Sequence, residues 1–332
     1  MTKSSTVPAV VAFDIGGTSV KSLTVTRDAV LDVHSTPTRA DQGPEAALEA
    51  VLDEIDTTLA ALGDDYEAVG VGVASPGLVD ETKGLSRHSE NLGWRDVPLK
   101  ALVQQRTGLP VGFGHDVRAG GLAERYLGAG RGAAHQAYLS LGTGIACALV
   151  LQGVSIVADG YCGEVGHGGS GASGDGEPCA CGGRGCAETY ASAAGMVRRY
   201  RRLTGRSLSG ARDLVALVDA GDEVARTVWN EAVEALAGIT SDIVRVTGVS
   251  RVVVGGGLSL AGERLIQGLE AGIAQQLTIH RRPEIVPAAL AGVSGSWGTA
   301  LLGWAAAGYD LDDIAAGYLE KGPSALIREV NR

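Results

Sequence analysis

Two short Gly-Thr turns, one near the start of the chain and one near its middle, each set between apolar runs, constrain this sequence more than any other feature. Val10 to Phe13 is an apolar run that leads into Asp14-Ile15-Gly16-Gly17-Thr18 and a second β-like run from Val20 to Thr26. Tyr138 to Val150 repeats the plan around Gly142-Thr143-Gly144. Strands joined by such a turn form a hairpin whose backbone amides no side chain covers. Those donors, with a Thr hydroxyl added, suit a phosphate. Asp14 would repel a phosphate unless a cation lay between them, so the first motif implies Mg2+ with the phosphate. Either turn alone also reads as a plain hairpin. Their recurrence in separate halves of the chain points to a duplicated domain with a phosphate chain held between the copies.

The stretch from His167 to Glu188 poses a different problem. It is rich in Gly and poor in apolar side chains, so burial cannot order it. It carries His167, Cys179, Cys181 and Cys186, a Cys3His set that matches a known tetrahedral zinc arrangement. Binding the ion would order both the loop and the helix after it. Cys179 and Cys181 are too close in sequence to pair readily as a disulfide. Met1 to Pro8 is short and polar, without an apolar signal region, so the expected compartment is a reducing cytoplasm. Cys147, between two alanines in an apolar run, reads as core.

The remaining segments alternate helical and strand patterns. Pro44 to Leu62 is an amphipathic helix and Val69 to Val73 a strand, ended by Ser75-Pro76-Gly77. In the polar loop Ser89 to Trp94, Asn91 offers a carboxamide that both donates to and accepts from a sugar hydroxyl pair, or else closes an Asx turn. Pro110 to Gly114 is a strand with His115-Asp116 at its end, before a helical pattern through Leu127; Asp116 reads as an N-cap or as a general base. Glu164 precedes His167 by three residues and Glu188 follows Cys186 by two, on a helix expected to run to about Leu203. Glu188 fits the dipole of that helix start, and it also fits a polyol site. Glu223 to Val246 is a long helix. The strand Arg251 to Val254, Gly255-Gly256-Gly257 and a helix from about Ser259 form either a close-approach site or an ordinary tight turn. A strand at Ile285-Val286, a helix from Trp297 to Ala307 and a polar tail end the chain. At 332 residues the chain holds two ordinary domains, and its net charge of −10 disfavours nucleic-acid or membrane partners. No apolar run is long enough to span a bilayer.

Together these motifs, with Lys21, Pro76-Gly77, Leu92-Gly93-Trp94 and Leu141 around them, resemble the ROK family of bacterial sugar kinases and related repressors, within the sugar-kinase/Hsp70/actin superfamily. The resemblance covers nearly the whole chain. It implies an α/β fold of two actin-like (ribonuclease H-like) domains flanking a cleft, with a structural zinc loop. The N-terminal domain would take residues 1–117, completed by a C-terminal helix at about 308–332. The other would take 118–307, with the zinc loop at 167–186. Asp14, Gly16, Gly17, Thr18 and Lys21, together with Gly142, Thr143 and Gly144, would hold the ATP phosphates and Mg2+, and Gly255, Gly256 and Gly257 would lie near the adenosine. Asn91, His115, Asp116, Glu164, His167 and Glu188 would line the sugar site, with Asp116 as base for a primary hydroxyl. His167 would serve twice, as zinc ligand through one nitrogen and sugar donor through the other. A homodimer is the family expectation.

One position departs from the pattern. Family kinases usually carry Asn immediately before the catalytic Asp, and this chain has His115. The kinase reading survives, while the substrate opens to an altered hexose, an N-acetylated hexosamine or a sugar-like cyclitol. A non-catalytic sugar sensor is the rival from another class, and polyphosphate is the rival phosphoryl donor. Only 13 residues precede Asp14, so a helix-turn-helix domain of the kind repressors carry is not expected.

Overall fold

The computed structural model describes residues 6–168 and 176–330, so residues 169–175 of the expected zinc loop lie outside it. The chain divides into two compact units. One is built from the chain up to Arg131, from Val157–Cys162 and from the chain beyond Val293; the other comprises Gly132–Ile156 and Gly163–Gly292. The crossing points therefore differ from the expected 117/118 and 307/308, and the helices at both places belong to the first unit.

The first unit opens with β1 (Val7–Ile15), β2 (Ser19–Val25) and β3 (Val30–Pro37), followed by helix α1 (Pro44–Ala60), whose first residue is the proline that suits that position. Then come β4 (Tyr66–Ser75), the short strands β5 (Leu78–Asp80), β6 (Leu85–Ser89) and β7 (Trp94–Val97), helix α2 (Leu99–Thr107), β8 (Val111–His115) and helix α3 (Asp116–Leu127). The main sheet has the order β3-β2-β1-β4-β8, and β5, β6 and β7 form a small sheet of their own. Strands β1 to β3 are antiparallel, whereas β4 runs parallel to both β1 and β8. Val51 and Ile55 of α1 pack with Val11, Phe13, Val71, Val73 and Trp94 in the core on one face of this sheet.

The second unit repeats the arrangement with β9 (Gln136–Leu141), β10 (Ile145–Leu151) and β11 (Val154–Ile156). Helices α4 (Ala187–Ala191), α5 (Ala193–Thr204), α6 (Ala211–Asp219) and α7 (Glu223–Thr247) follow, then β12 (Arg251–Gly255), α8 (Glu263–Gln276) and β13 (Glu284–Pro287). Its sheet runs β11-β10-β9-β12-β13, again three antiparallel strands followed by two parallel ones. The two hairpins thus occupy equivalent places in two copies of one topology, as their repeated sequence plan implies. Cys147 is buried in this core.

Three expectations change. The helix through Leu203 is broken at Ser192, which adopts an extended backbone (ψ 155°) and caps α5 by accepting from the Gly195 amide at 3.0 Å. The helix expected from Ser259 begins as a 3-10 turn, Gly257–Ala261, and α8 starts only after Gly262. The tail, where the resemblance puts one helix at about 308–332, forms two, α10 (Leu311–Leu319) and α11 (Pro323–Val330), after α9 (Ser294–Ala306).

Helix α9 covers the second face of the first unit's sheet, and it does so at backbone range. A Cβ on Gly72 of β4 would overlap the Thr299 carbonyl, and one on Gly303 would collide with Val10 and with the Gly72 amide. Backbone atoms cannot swing aside as a side chain can, so this contact needs glycine on both partners. Farther along, Trp297 meets Tyr318 of α10 edge to face, with centroids 4.7 Å apart. Gly72→Ala is expected to destabilise the protein by about 1–3 kcal/mol or more, as overpacking does. A denaturant titration checks this, and an unchanged midpoint would show that the α9 contact yields freely.

Candidate active site and metal centre

In the first unit the parallel strands bring two acidic residues to one sheet edge. Asp14 pairs with Ala74 and Ala74 with Gly114, so Asp14 and the His115-Asp116 corner stand at the same C-terminal edge, two strands or about 10 Å apart. Ligands of α/β sheets collect at such edges. Burial, then the charge of Asp116, raise the Asp14 carboxyl to about 6 against the lowering effect of Lys21, its cross-strand neighbour. Burial likewise raises Asp116 to about 6, opposed by the Val117 amide and by Arg118. Asp116 is nonetheless reachable, with 33% of its side chain exposed.

The first hairpin turn has its carbonyls occupied elsewhere. Thr38 donates to the Gly17 carbonyl through Oγ1 and to the Thr18 carbonyl through its amide, both at 3.1 Å. A turn with its acceptors tied back suits an anion. Asn91 sits against this turn: a Cβ on Gly17 would stand 3.0 Å from the Asn91 Cβ. Its flanks are anchored, since Leu92 and Trp94 are buried and the Trp94 indole donates to the Pro44 carbonyl at 3.0 Å.

His115, not Asp116, occupies the N-cap of α3. Its Nδ1 accepts from the Val117 amide at 3.2 Å, and its Nε2 lies 3.2 Å from Asp116 Oδ1. The corner is locked from behind by a pair that sequence reasoning missed. Glu81 Oε1 accepts from the His115 amide at 3.1 Å and from Arg118 Nε at 2.6 Å. Arg118, 4% exposed, also donates to the Cys162 and Val79 carbonyls at 3.0 and 3.1 Å. No local pattern marks Glu81, because it acts across 34 residues.

In the second unit the expected sugar and phosphate residues also converge. The segment Gly163–His167 lies along β10, with the Cys147 amide donating to the Gly163 carbonyl at 2.8 Å, and one 3-10 turn links Glu164 to His167. Glu188 does more than face a helix dipole: Oε2 accepts from the Ile145 amide at 2.9 Å, directly behind the Gly142–Gly144 turn. Gly144 makes room for it, since a Cβ there would stand 2.7 Å from that oxygen. Of the three glycines at the end of β12, Gly255 and Gly256 are required by packing on Tyr138 and Leu141, whereas Gly257 faces open space.

His167, Cys179, Cys181 and Cys186 place their ligand atoms within 4.8 Å of one another. Tetrahedral zinc, with Zn–S near 2.3 Å and Zn–N near 2.0 Å, needs ligand atoms about 3.6–3.8 Å apart. Cys181 and Cys186 sulfurs are 3.7 Å apart, and Cys179 Sγ is 3.6 Å from His167 Nδ1. Burial, then the hydrogen bonds that the Cys186 thiol donates to Cys181 and Cys179, push it up to about 12. The donor set therefore fits zinc, held through Nδ1 of His167, with Nε2 on the far side of the ring. The loop has a second fastening, because Arg199 grips Glu177 at 2.6 Å and Glu231 at 2.7 Å.

The model of the ROK family matches residues 10–305 of this sequence. The chain belongs to the ROK family. Among ROK relatives, the glucokinase of Thermotoga maritima is 32% identical over 283 residues, spanning 80% of this chain and 87% of the relative. The crystal structure of a ROK family glucokinase from Streptomyces griseus in complex with glucose and AMPPNP superposes with a TM-score of 0.74 at 27% identity, covering 89% of this chain and 99% of that one. The xylose repressor of Caldicellulosiruptor bescii is 26% identical over 221 residues, 63% of this chain and 55% of the repressor. Among the described residues, no helix is long and apolar enough to cross a membrane.

Metal analysis of the purified protein is expected to find about one zinc per chain, and Cys186→Ser to lose it along with thermal stability. A metal-free protein with the same unfolding midpoint would remove the metal centre from this description.

Proposed function

We propose that this ROK protein transfers the γ-phosphoryl group of ATP to a primary hydroxyl of a hexose or hexose-like substrate. The observation that carries the reading is the Asp116 corner: a carboxylate raised to about 6, reachable from solvent and locked by its neighbours at a sheet edge where substrates gather. The ROK glucokinases among its relatives support the same chemistry. Asn91 supplies a donor and acceptor for sugar hydroxyls, as do Glu164, His167 and Glu188 in the second unit. The two Gly-Thr turns, with Lys21, serve the phosphates, and Gly257 serves the nucleoside end. Mg2+ bound with ATP, held through Asp14, would neutralise phosphate charge.

Phosphoryl transfer is mainly positioning and charge stabilisation, so the demands on the chain are modest. Asp116 accepts the proton as the sugar oxygen attacks phosphorus, which contributes roughly 10² to 10⁴ in rate. Zinc, in this reading, holds the His167 and Glu188 ends of the loop at a set spacing. His115 keeps the substrate open among hexoses, N-acetylhexosamines and cyclitols. The similarity to a xylose repressor favours a second reading, a sugar-binding protein without turnover.

One screen separates these readings. ATP and polyphosphate are each offered with glucose, mannose, N-acetylhexosamines and cyclitols, and turnover is followed. Turnover with one sugar and ATP is expected, and binding without turnover throughout would favour the sensor. Asp116→Asn is expected to keep sugar binding and lose nearly all turnover; full activity in that variant would sink the assignment.

The pH dependence follows from the same carboxylate. Asp116 must be ionised to act, so kcat/KM is expected to rise with pH through about 6 and level off above it. Stability runs the opposite way. A carboxyl raised in the folded state contributes stability that is full below its unfolded value of 3.8 and lost as pH rises through about 6. Unfolding curves of the wild type and Asp116→Asn between pH 4 and 7 measure that share.

A further inference from the structure

His115 stands where ROK kinases usually present an amide to the sugar, yet the residue is only 5% exposed, its Nδ1 accepts a hydrogen bond and its Nε2 stands beside the Asp116 carboxylate. The Val117 amide is shared. Its shorter arm, 2.7 Å, reaches Asp116 Oδ1 and its longer arm, 3.2 Å, reaches His115 Nδ1. A ring nitrogen that accepts a hydrogen bond carries no proton, so the neutral imidazole has its proton on Nε2. Nε2 lies 3.2 Å from Asp116 Oδ1. Oδ1 therefore accepts from the backbone amide and has the ring nitrogen within reach beside it.

We propose that His115 is a positioning residue for Asp116: its Nε2–H holds Oδ1 and leaves Oδ2 as the oxygen that takes the substrate proton, while the ring itself stays out of the sugar site. The proposal rests on the kinase reading above. In the step it serves, the sugar O–H bond breaks and its proton goes to Oδ2. The sugar oxygen forms a bond to the γ-phosphorus of ATP, and the bond to the bridging oxygen breaks, its electron pair leaving with ADP. His115 keeps its proton throughout and fixes the plane of the carboxylate. Its own place is fixed in turn by Glu81, which accepts from the His115 amide at 3.1 Å and is held by Arg118. A substrate hydroxyl that a side chain at position 115 would otherwise bind has to find its partner elsewhere, so position 115 acts on rate and not on sugar affinity.

Two variants separate this role from its rivals. His115→Ser keeps a good N-cap and removes the ring donor. His115→Gln places an amide N–H near the position of Nε2. For His115→Ser, kcat is expected to fall roughly tenfold to a hundredfold, the cost of a loosened catalytic group, with KM for sugar and ATP within about twofold of wild type. His115→Gln is expected to recover much of that loss. A raised sugar KM with kcat retained would put the ring in the sugar site and overturn the proposal, as would an unchanged kcat in His115→Ser. Failure of His115→Gln to exceed His115→Ser in kcat, at matched folded fraction, would reduce the residue to a cap and overturn it as well.

A wild type without turnover on any sugar and donor would instead bring down the kinase reading. The ring geometry is then tested without catalysis, by imidazole 15N spectra near neutral to mildly alkaline pH. The signal of His115 is assigned by its loss in His115→Ser. An Nε2–H tautomer whose signal shifts in Asp116→Asn supports the contact, and an Nδ1–H tautomer or an unmoved signal refutes it.

Discussion

Parallel pairing of β1, β4 and β8 is the constraint on which the first unit's chemistry depends. With β4 in register between them, the ends of β1 and β8 finish flush, and the residues just past those ends share one edge. That geometry crowds acidic groups where little water can screen them, which is why Asp14 and Asp116 both sit well above the usual carboxylate range. A site of this kind is intrinsically costly to fold. Beside it stand the partly exposed Glu81 and the buried Arg118, an ion pair whose remaining donors are taken up by backbone carbonyls. The same pair holds the amide of His115, so the support of the fold and the support of the carboxylate are one structure.

The second unit solves a different problem with the same topology. Its functional residues lie in a Gly-rich stretch with almost no apolar side chains to bury, and order has to come from polar contacts. Three are visible. The Cys3His cluster has the spacing of a tetrahedral ion, Arg199 clamps Glu177 to α5, and Glu188 is bonded to the hairpin at Ile145. Cys186 and Glu188 are two residues apart, so a metal that fixed the first would also set where the second meets the Gly142–Gly144 turn. The Gly144 position allows that meeting, because a side chain there would displace the carboxylate.

Sequence reasoning recovered the main frame because its signals are local. Apolar runs flanking Gly-Thr turns gave both hairpins, the 3.6-residue pattern gave α1 and α7, and the spacing of three cysteines and a histidine gave the Cys3His cluster. It failed where the information is not local. Strand β3 is a half-buried edge with little alternation, β5 to β7 are three to five residues long, and α10 and α11 are short, nine and eight residues. The break at Ser192 hides inside an otherwise helical composition, since a serine cap in mid-pattern looks like any polar residue. Asp14, Asn91, Asp116, Glu164, His167 and Glu188 were all legible as candidate site residues.

What the sequence determined by itself is therefore the inventory: a duplicated hairpin plan, a thiol-imidazole set, and carboxylates at strand and helix ends. These follow from residue type and short spacing, which act over a few bonds. Only the tertiary structure decided how that inventory is wired. It turned His115 inward to cap α3 and touch Asp116, brought Glu81 across 34 residues to the same corner, and moved Glu188 from a helix dipole to the Ile145 amide. The reason is physical. A hydrogen bond depends on where two groups end up in space, and their positions are set by strand register and backbone packing, which no single stretch of the chain contains.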